Sequence, residues 1–176
     1  MPSYRRYGKL TNVLLPGEFE KGLSAGKFVK VPDHKGLCVF LYYSGCRISE
    51  ALNMKRQDFR VASGVLYADI KRLKHSKQTD PIELLLSSPF IEFLESTVYQ
   101  VKKKERRVWP YCRKTGYNIV NRAFDYPHHF RLSRITQLFL KGYTIPEVQS
   151  FTGLTVGALE HYIAKVDIKR IREDLE

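Results

Sequence analysis

Two phrases about eighty residues apart hold the side chains best suited to chemistry. They are Gly45-Cys46-Arg47-Ile48-Ser49-Glu50-Ala51-Leu52 and His128-His129-Phe130-Arg131, and Tyr162 follows the second. Together they supply two guanidiniums, an imidazole and a phenol. A guanidinium stays charged at any working pH, and its planar fork donates two parallel hydrogen bonds to phosphate oxygens. A phenol can attack phosphorus and hold it covalently. The set points to phosphoryl transfer through a protein-linked intermediate. Each residue also has a plainer use: Arg47 can pair with Glu50 on its own helix, His128 can cap a helix after Pro127, and a tyrosine on an amphipathic helix usually joins a core.

Those side chains need a frame, and the hydrophobic pattern describes one. Residues 1–16 read as irregular, with Pro16-Gly17 as a breaker. Glu18 to Ser24 reads as a short helix. Pro32 to Tyr43 is nearly continuously apolar, as expected of a buried helix, and stops at Ser44-Gly45. A second helix begins close to Arg47, with Ile48, Ala51, Leu52 and Lys55 spaced for one face. Arg47 is therefore expected at a helix–helix junction, beside a glycine that permits a sharp turn.

Residues 59–86 change period. Val61, Val65, Tyr67, Ile70, Ile82, Leu84 and Leu86 read as strands, with turns at Ala62-Ser63-Gly64 and from His75 to Asp80. A helix is expected from Pro89 to Val101, a solvated charged run at 102–107, and a buried linker strand at Val108-Trp109-Pro110-Tyr111. Further helices are expected at Thr115–Phe124, His128–Lys141, Pro146–Phe151 and Val156–Ala164, before a charged tail at 167–176. His128 and Arg131, three apart, should share a helix face. The fold class is α+β: a single, mostly helical domain with a small antiparallel sheet or hairpin on one side.

Bulk composition narrows the partner. The 176 residues carry 30 Lys+Arg against 18 Asp+Glu, a net charge of +12. The excess is clustered at Arg5-Arg6-Lys9, Lys71-Arg72-Lys74-Lys77, Lys102 to Arg107, Arg113-Lys114 and Lys169-Arg170-Arg172. Such a chain is drawn to polyanions, with affinity that falls as salt rises. No stretch approaches the roughly 20 apolar residues of a membrane span, and no secretory signal opens the chain, so a cytoplasmic location is expected. Cys38, Cys46 and Cys112 match no paired-thiol metal spacing and read as idle thiols in a reducing compartment.

With these residues in view, the chain resembles the catalytic domain of the tyrosine recombinases, the integrases of phages, plasmids and archaeal viruses. Their first motif reads about Thr-Gly-Leu-Arg-Ile-Ser-Glu-Leu, and Ser44 to Leu52 matches it with Arg47 on the first catalytic arginine. Lys74-His75-Ser76-Lys77, followed by Pro81-Ile82-Glu83-Leu84, fits the slot of the family's hairpin lysine; Lys71 and Lys77 compete with Lys74 for it. The second box, His-x-Leu-Arg-His-Thr, aligns with His128 to Ser133 and carries over His128 and Arg131; Arg134 is the nearest rival of Arg131. Tyr162 stands about thirty residues beyond Arg131, where the nucleophile is expected. The chain departs from the pattern at Leu132, where a histidine is common. It departs again at Thr152-Gly153-Leu154-Thr155, where a late histidine or tryptophan is expected. The likeness runs from about residue 10 to 165.

The resemblance implies a site-specific recombinase or integrase. Arg47 and Arg131 would clamp the scissile phosphate, and Tyr162 would attack it to give a 3′-phosphotyrosyl link. Lys74 would protonate the 5′-oxygen that leaves, and His128 would assist proton transfer. A phenol's ordinary pKa near ~10 means that Tyr162 must lose its proton during attack, which neighbouring cations favour. The covalent link conserves the phosphodiester energy, so the expectation is no cofactor, no ATP and no metal. The expected partner is double-stranded DNA at an attachment-type site, with assembly into a tetramer on DNA and a monomer or weak oligomer without it. The family's separate N-terminal DNA-binding domain is not expected in this chain. The competing readings are a type IB topoisomerase-like enzyme that relaxes DNA, and a non-catalytic DNA-binding module of the same fold.

Overall fold

The frame is built around one helix that is apolar almost all round. In the computed structural model, which describes residues 13–25, 31–73 and 81–163, helix α2 (Pro32–Ser44) buries Leu37, Cys38, Val39, Phe40, Leu41 and Tyr42. A helix without a polar face must be covered on every side. Helix α4 (Pro89–Gln100) and helix α6 (Pro127–Leu140) pack against it. The short α1 (Pro16–Ser24) adds Phe19, which stacks on Tyr42 with ring centroids 3.8 Å apart. Helix α3 (Ile48–Asn53) lies on α5 (Arg113–Val120), while α7 (Ile145–Thr152) and α8 (Val156–Ile163) pack on α6.

The sheet is three-stranded and antiparallel in the order β1 (Phe59–Ala62), β2 (Val65–Ala68), β3 (Ile82–Leu85). Ser63 and Gly64, both at positive φ (49° and 75°), make the two-residue turn between β1 and β2, whose twist matches that of the strands. Its inward positions, Leu66, Ala68, Ile82 and Leu84, are buried, whereas Val61 and Leu85 face outward. Register pairs Ala68 with both Phe59 and Ile82.

Most expected elements form, and two stretches differ. The stretch 108–111 is a linker and not a strand, buried at Val108 and Trp109 but exposed at Pro110. Val108 N–H donates to the Met54 carbonyl at 2.9 Å, but Pro110 has no N–H to continue a ladder, and Tyr111 N–H turns back to the Trp109 carbonyl. Helix α5 starts earlier and ends earlier than expected; Arg122 and Ala123 bond three residues back, so the chain tightens out of the α-helix before Phe124. The turn from His75 to Asp80 and the charged tail lie wholly outside the described residues. The run 102–107 is exposed, as expected of a solvated loop. Cys38 and Cys46 are buried, and burial pushes the Cys46 thiol up to about 11, so it stays protonated; Cys112 is exposed. Among the described residues, no helix is long and apolar enough to cross a membrane.

Candidate active site

Arg131 shows how the site is assembled. It is 1% exposed, yet a guanidinium out of water needs partners. Its Nη1 donates to the Gly45 carbonyl at 2.8 Å and its Nη2 to the Thr152 carbonyl at 3.0 Å. Gly45 closes α2 and Thr152 is the last residue of α7, so two helix C-termini point their partial negative charge at one cation. Both helices stop at a glycine in the left-handed region, Gly45 (φ 60°) and Gly153 (φ 66°). A Cβ on Gly45 would stand 2.9 Å from Cβ of Arg134, so the glycine also lets α2 end hard against α6.

Arg47 immediately precedes α3 in extended conformation, and Glu50 one turn on accepts its backbone N–H at 2.9 Å. The other Glu50 oxygen accepts Arg47 Nη1 at 2.8 Å. The plain pairing of Arg47 with Glu50 therefore exists, but the Arg47 side chain stays 25% exposed, whereas that of Glu50 is fully buried. Glu50 also accepts Arg72 Nη1 at 3.1 Å. Burial opposes the ionisation of Glu50, but the Arg47 N–H and the charges of Arg72 and Arg47 outweigh it and hold the carboxyl below its ordinary pKa. Two guanidiniums thus bond to one carboxylate and a third, Arg131, lies within its electrostatic reach, so the excess positive charge suits an anion such as a phosphodiester.

His128 and Arg131 sit one turn apart on α6, as their spacing requires. Tyr162 Oη lies 2.6 Å from His128 Nε2, bringing together residues 34 apart in sequence. Burial first, then the charges of Arg131 and Arg47, lower the His128 pKa to about 4. The imidazole is therefore neutral at physiological pH, and Nε2 can take the phenol's proton. Tyr162 and Arg131 are also within electrostatic reach of one another.

Four of the five expected residues, Arg47, His128, Arg131 and Tyr162, thus converge. The fifth, Lys74, lies outside the described residues, as does Lys77. Lys71 is 77% exposed and reaches Asp58 at 3.8 Å, away from the cluster. Arg134 lines a separate cavity of about 560 Å³ between β3, α4, α6 and α7. Leu132 is core, packed with Val13 and Tyr162, and Leu154 packs against the cluster of Ile135, Leu138, Val148 and Leu159. His161 is exposed, and His129 is buried and stacked on Tyr126.

Two polar side chains were not singled out from sequence. Ser133 accepts the Leu14 N–H and donates to the His129 carbonyl, both at 2.8 Å, pinning the chain before α1 to α6. Arg72, which reads as one more surface charge, has a side chain only 2% exposed. Its signal was alternation: Leu66, Ala68 and Ile70 face inward, and Arg72 is the next inward position.

The fold is that of known recombinases. The structure of XerA recombinase superposes on 93% of this chain with a TM-score of 0.68 and 16% identity. The XerH site-specific recombinase bound to difH substrate in a pre-cleavage complex superposes on 88% of it, with a TM-score of 0.64 and 23% identity. This chain has the fold of a tyrosine recombinase catalytic domain. In sequence it is 26% identical, over 96% of its length, to the tyrosine recombinase XerA of Pyrococcus horikoshii. It spans 65% of the length of that relative, and 63% and 51% of the two structures. No family model matches the chain.

Proposed function

We propose that this recombinase-like chain cleaves and rejoins DNA strands at a specific site through a covalent 3′-phosphotyrosyl intermediate. The observation that carries this reading is the 2.6 Å contact between Tyr162 and a neutral His128, beside an arginine cluster with too little negative charge of its own. Arg47 and Arg131 hold the non-bridging oxygens of the scissile phosphate and stabilise the charge that builds there. Tyr162 attacks in line; its oxygen forms the new bond to phosphorus as the bond to the 5′-oxygen breaks. His128 receives the phenol proton, and Lys74 supplies the proton that the leaving 5′-oxygen needs. Rejoining runs the same steps in reverse, with the 5′-hydroxyl of the incoming strand as nucleophile.

Double-stranded DNA is the partner that the charge of +12 favours, and the XerH structures bound to difH substrate have the same fold. Assembly to a tetramer on two duplexes goes with the reaction, because strand exchange needs four cleavages. The test is adduct formation. Duplexes from a randomised pool, nicked so that the cleaved end is lost, should yield covalent protein–DNA adducts, and peptide mapping should find the link on Tyr162. Tyr162→Phe should yield none; adducts that persist in that variant would overturn the assignment. Joining of two captured duplexes separates a recombinase from a relaxing enzyme.

A further inference from the structure

Arg72 makes connections that its place in the sequence does not announce. It follows β2 at the root of the segment leading to β3, where a basic residue is by default solvated. Instead its Nη1 donates to Glu50 Oε2 at 3.1 Å and its Nη2 to the Phe151 carbonyl in the last turn of α7. Its stem lies along Gly153, with Cγ 3.5 Å and Cδ 3.6 Å from where a Cβ would stand. The backbone N–H of Leu73 also reaches Glu50, at 3.4 Å.

The two partners of Arg72 are the two supports of the phosphate clamp. Glu50 is the carboxylate that holds the Arg47 guanidinium. The Phe151 carbonyl is next to the Thr152 carbonyl, which holds Arg131. Beyond Gly153 the chain turns into α8, which carries Tyr162. One rigid planar fork therefore spans from the support of Arg47 to the support of Arg131. Arg72 is too buried to meet DNA itself, and its Nε has no hydrogen-bond partner among the described residues.

We propose that Arg72 is a positioning residue that sets the spacing of Arg47 and Arg131 around the scissile phosphate. The proposal rests on the strand-transfer reading above. An ammonium in its place keeps the charge but lacks the fork that bridges two acceptors on separate elements. A displacement of the clamp by about 1 Å is enough to slow an oriented reaction on the order of a hundredfold.

The test compares Arg72→Ala and Arg72→Lys with wild type in single-turnover cleavage of a captured duplex. A second substrate is the same duplex with a methylphosphonate at the scissile position. That group has lost one charged non-bridging oxygen and asks less of the clamp. Both variants should cleave the phosphodiester about ten- to a hundredfold more slowly while binding DNA within about twofold of wild type. On the methylphosphonate the defect should shrink to about threefold or less, because spacing the two arginines matters less when one oxygen is gone. An equal defect on both substrates would mean that Arg72 only supports the fold, and no defect would mean that it does nothing for the clamp. If Arg72→Ala does not unfold cooperatively, the comparison is read from Arg72→Lys. Failure of the wild-type chain to form any adduct would instead count against the strand-transfer reading.

Discussion

Tyr162 Oη and His128 Nε2 are in hydrogen-bond contact at 2.6 Å, and the partner nitrogen belongs to an imidazole kept neutral by burial and by two arginines. A neutral imidazole is the form that accepts a proton, so the proposed nucleophile already touches its proposed base in the DNA-free fold. General-base contributions of this kind are worth ~10²–10⁴-fold in rate. His128→Ala should slow covalent adduct formation at pH 7 within that range while leaving DNA affinity within about threefold of wild type. Single-turnover cleavage and a filter or anisotropy titration measure the two quantities. An unchanged cleavage rate would remove His128 from the mechanism.

The same histidine links stability to pH. Its pKa is 6.5 in the unfolded chain and about 4 in the fold, so the unfolded state binds the extra proton first. Stability is therefore unaffected by this group above pH 6.5, falls as pH drops from 6.5 to 4, and levels off below. The full effect is about 3 kcal/mol, one pKa unit being worth ~1.4 kcal/mol. His128→Asn should show a correspondingly shallower loss over that window in urea melts at a series of pH values. Parallel curves for the two proteins would contradict the lowered pKa.

The elements were legible where pattern and packing agree. The continuous apolar run of α2 and the 3.6-residue spacing on α6 are read directly because those helices bury the faces that the pattern marks. Arg47, His128 and Arg131 were legible from motif spacing, and Tyr162 from its distance to Arg131. Two things were not. That Arg131 hangs between the ends of α2 and α7 depends on contacts 86 and 21 residues away, which no local pattern encodes. Arg72 was hidden by its residue type: a lysine-rich stretch reads as solvent-facing, while its period-2 position reads as inward. Position outweighed type because Glu50 and the Phe151 carbonyl were there to receive it.

Gly45 should be the least replaceable glycine of the site. Alanine there must adopt φ near 60° and place Cβ 2.9 Å from Cβ of Arg134, on a helix that cannot easily move. Left-handed strain costs ~1 kcal/mol and a hard core contact ~1–3 more, so Gly45→Ala should lose about 2–4 kcal/mol. Because the Gly45 carbonyl holds Arg131, cleavage should also slow. Gly64→Ala is the matched control, with φ at 75° but nothing within 4 Å of the new Cβ. It should lose only about 1 kcal/mol and keep full cleavage activity. Thermal melts and adduct assays on the pair check this, and equal losses in both would show that φ alone, and not the α2–α6 approach, limits Gly45.

Glu50 is the carboxylate to which both Arg47 and Arg72 are bonded, and its side chain is fully buried. Removing one partner of a buried ion pair typically costs ~3–5 kcal/mol, because the charge left behind has lost its compensation. Glu50→Gln keeps the shape and an acceptor oxygen but removes the charge, so it should fall at the low end, about 3 kcal/mol. Its loss should be partly reversible by an anion that enters the arginine cluster. Sulfate, compared with chloride at equal ionic strength, should raise the melting temperature of Glu50→Gln by more than it raises that of wild type. A like increment in both proteins would show that the anion acts elsewhere and that the excess charge around Arg47 and Arg131 is not a phosphate site.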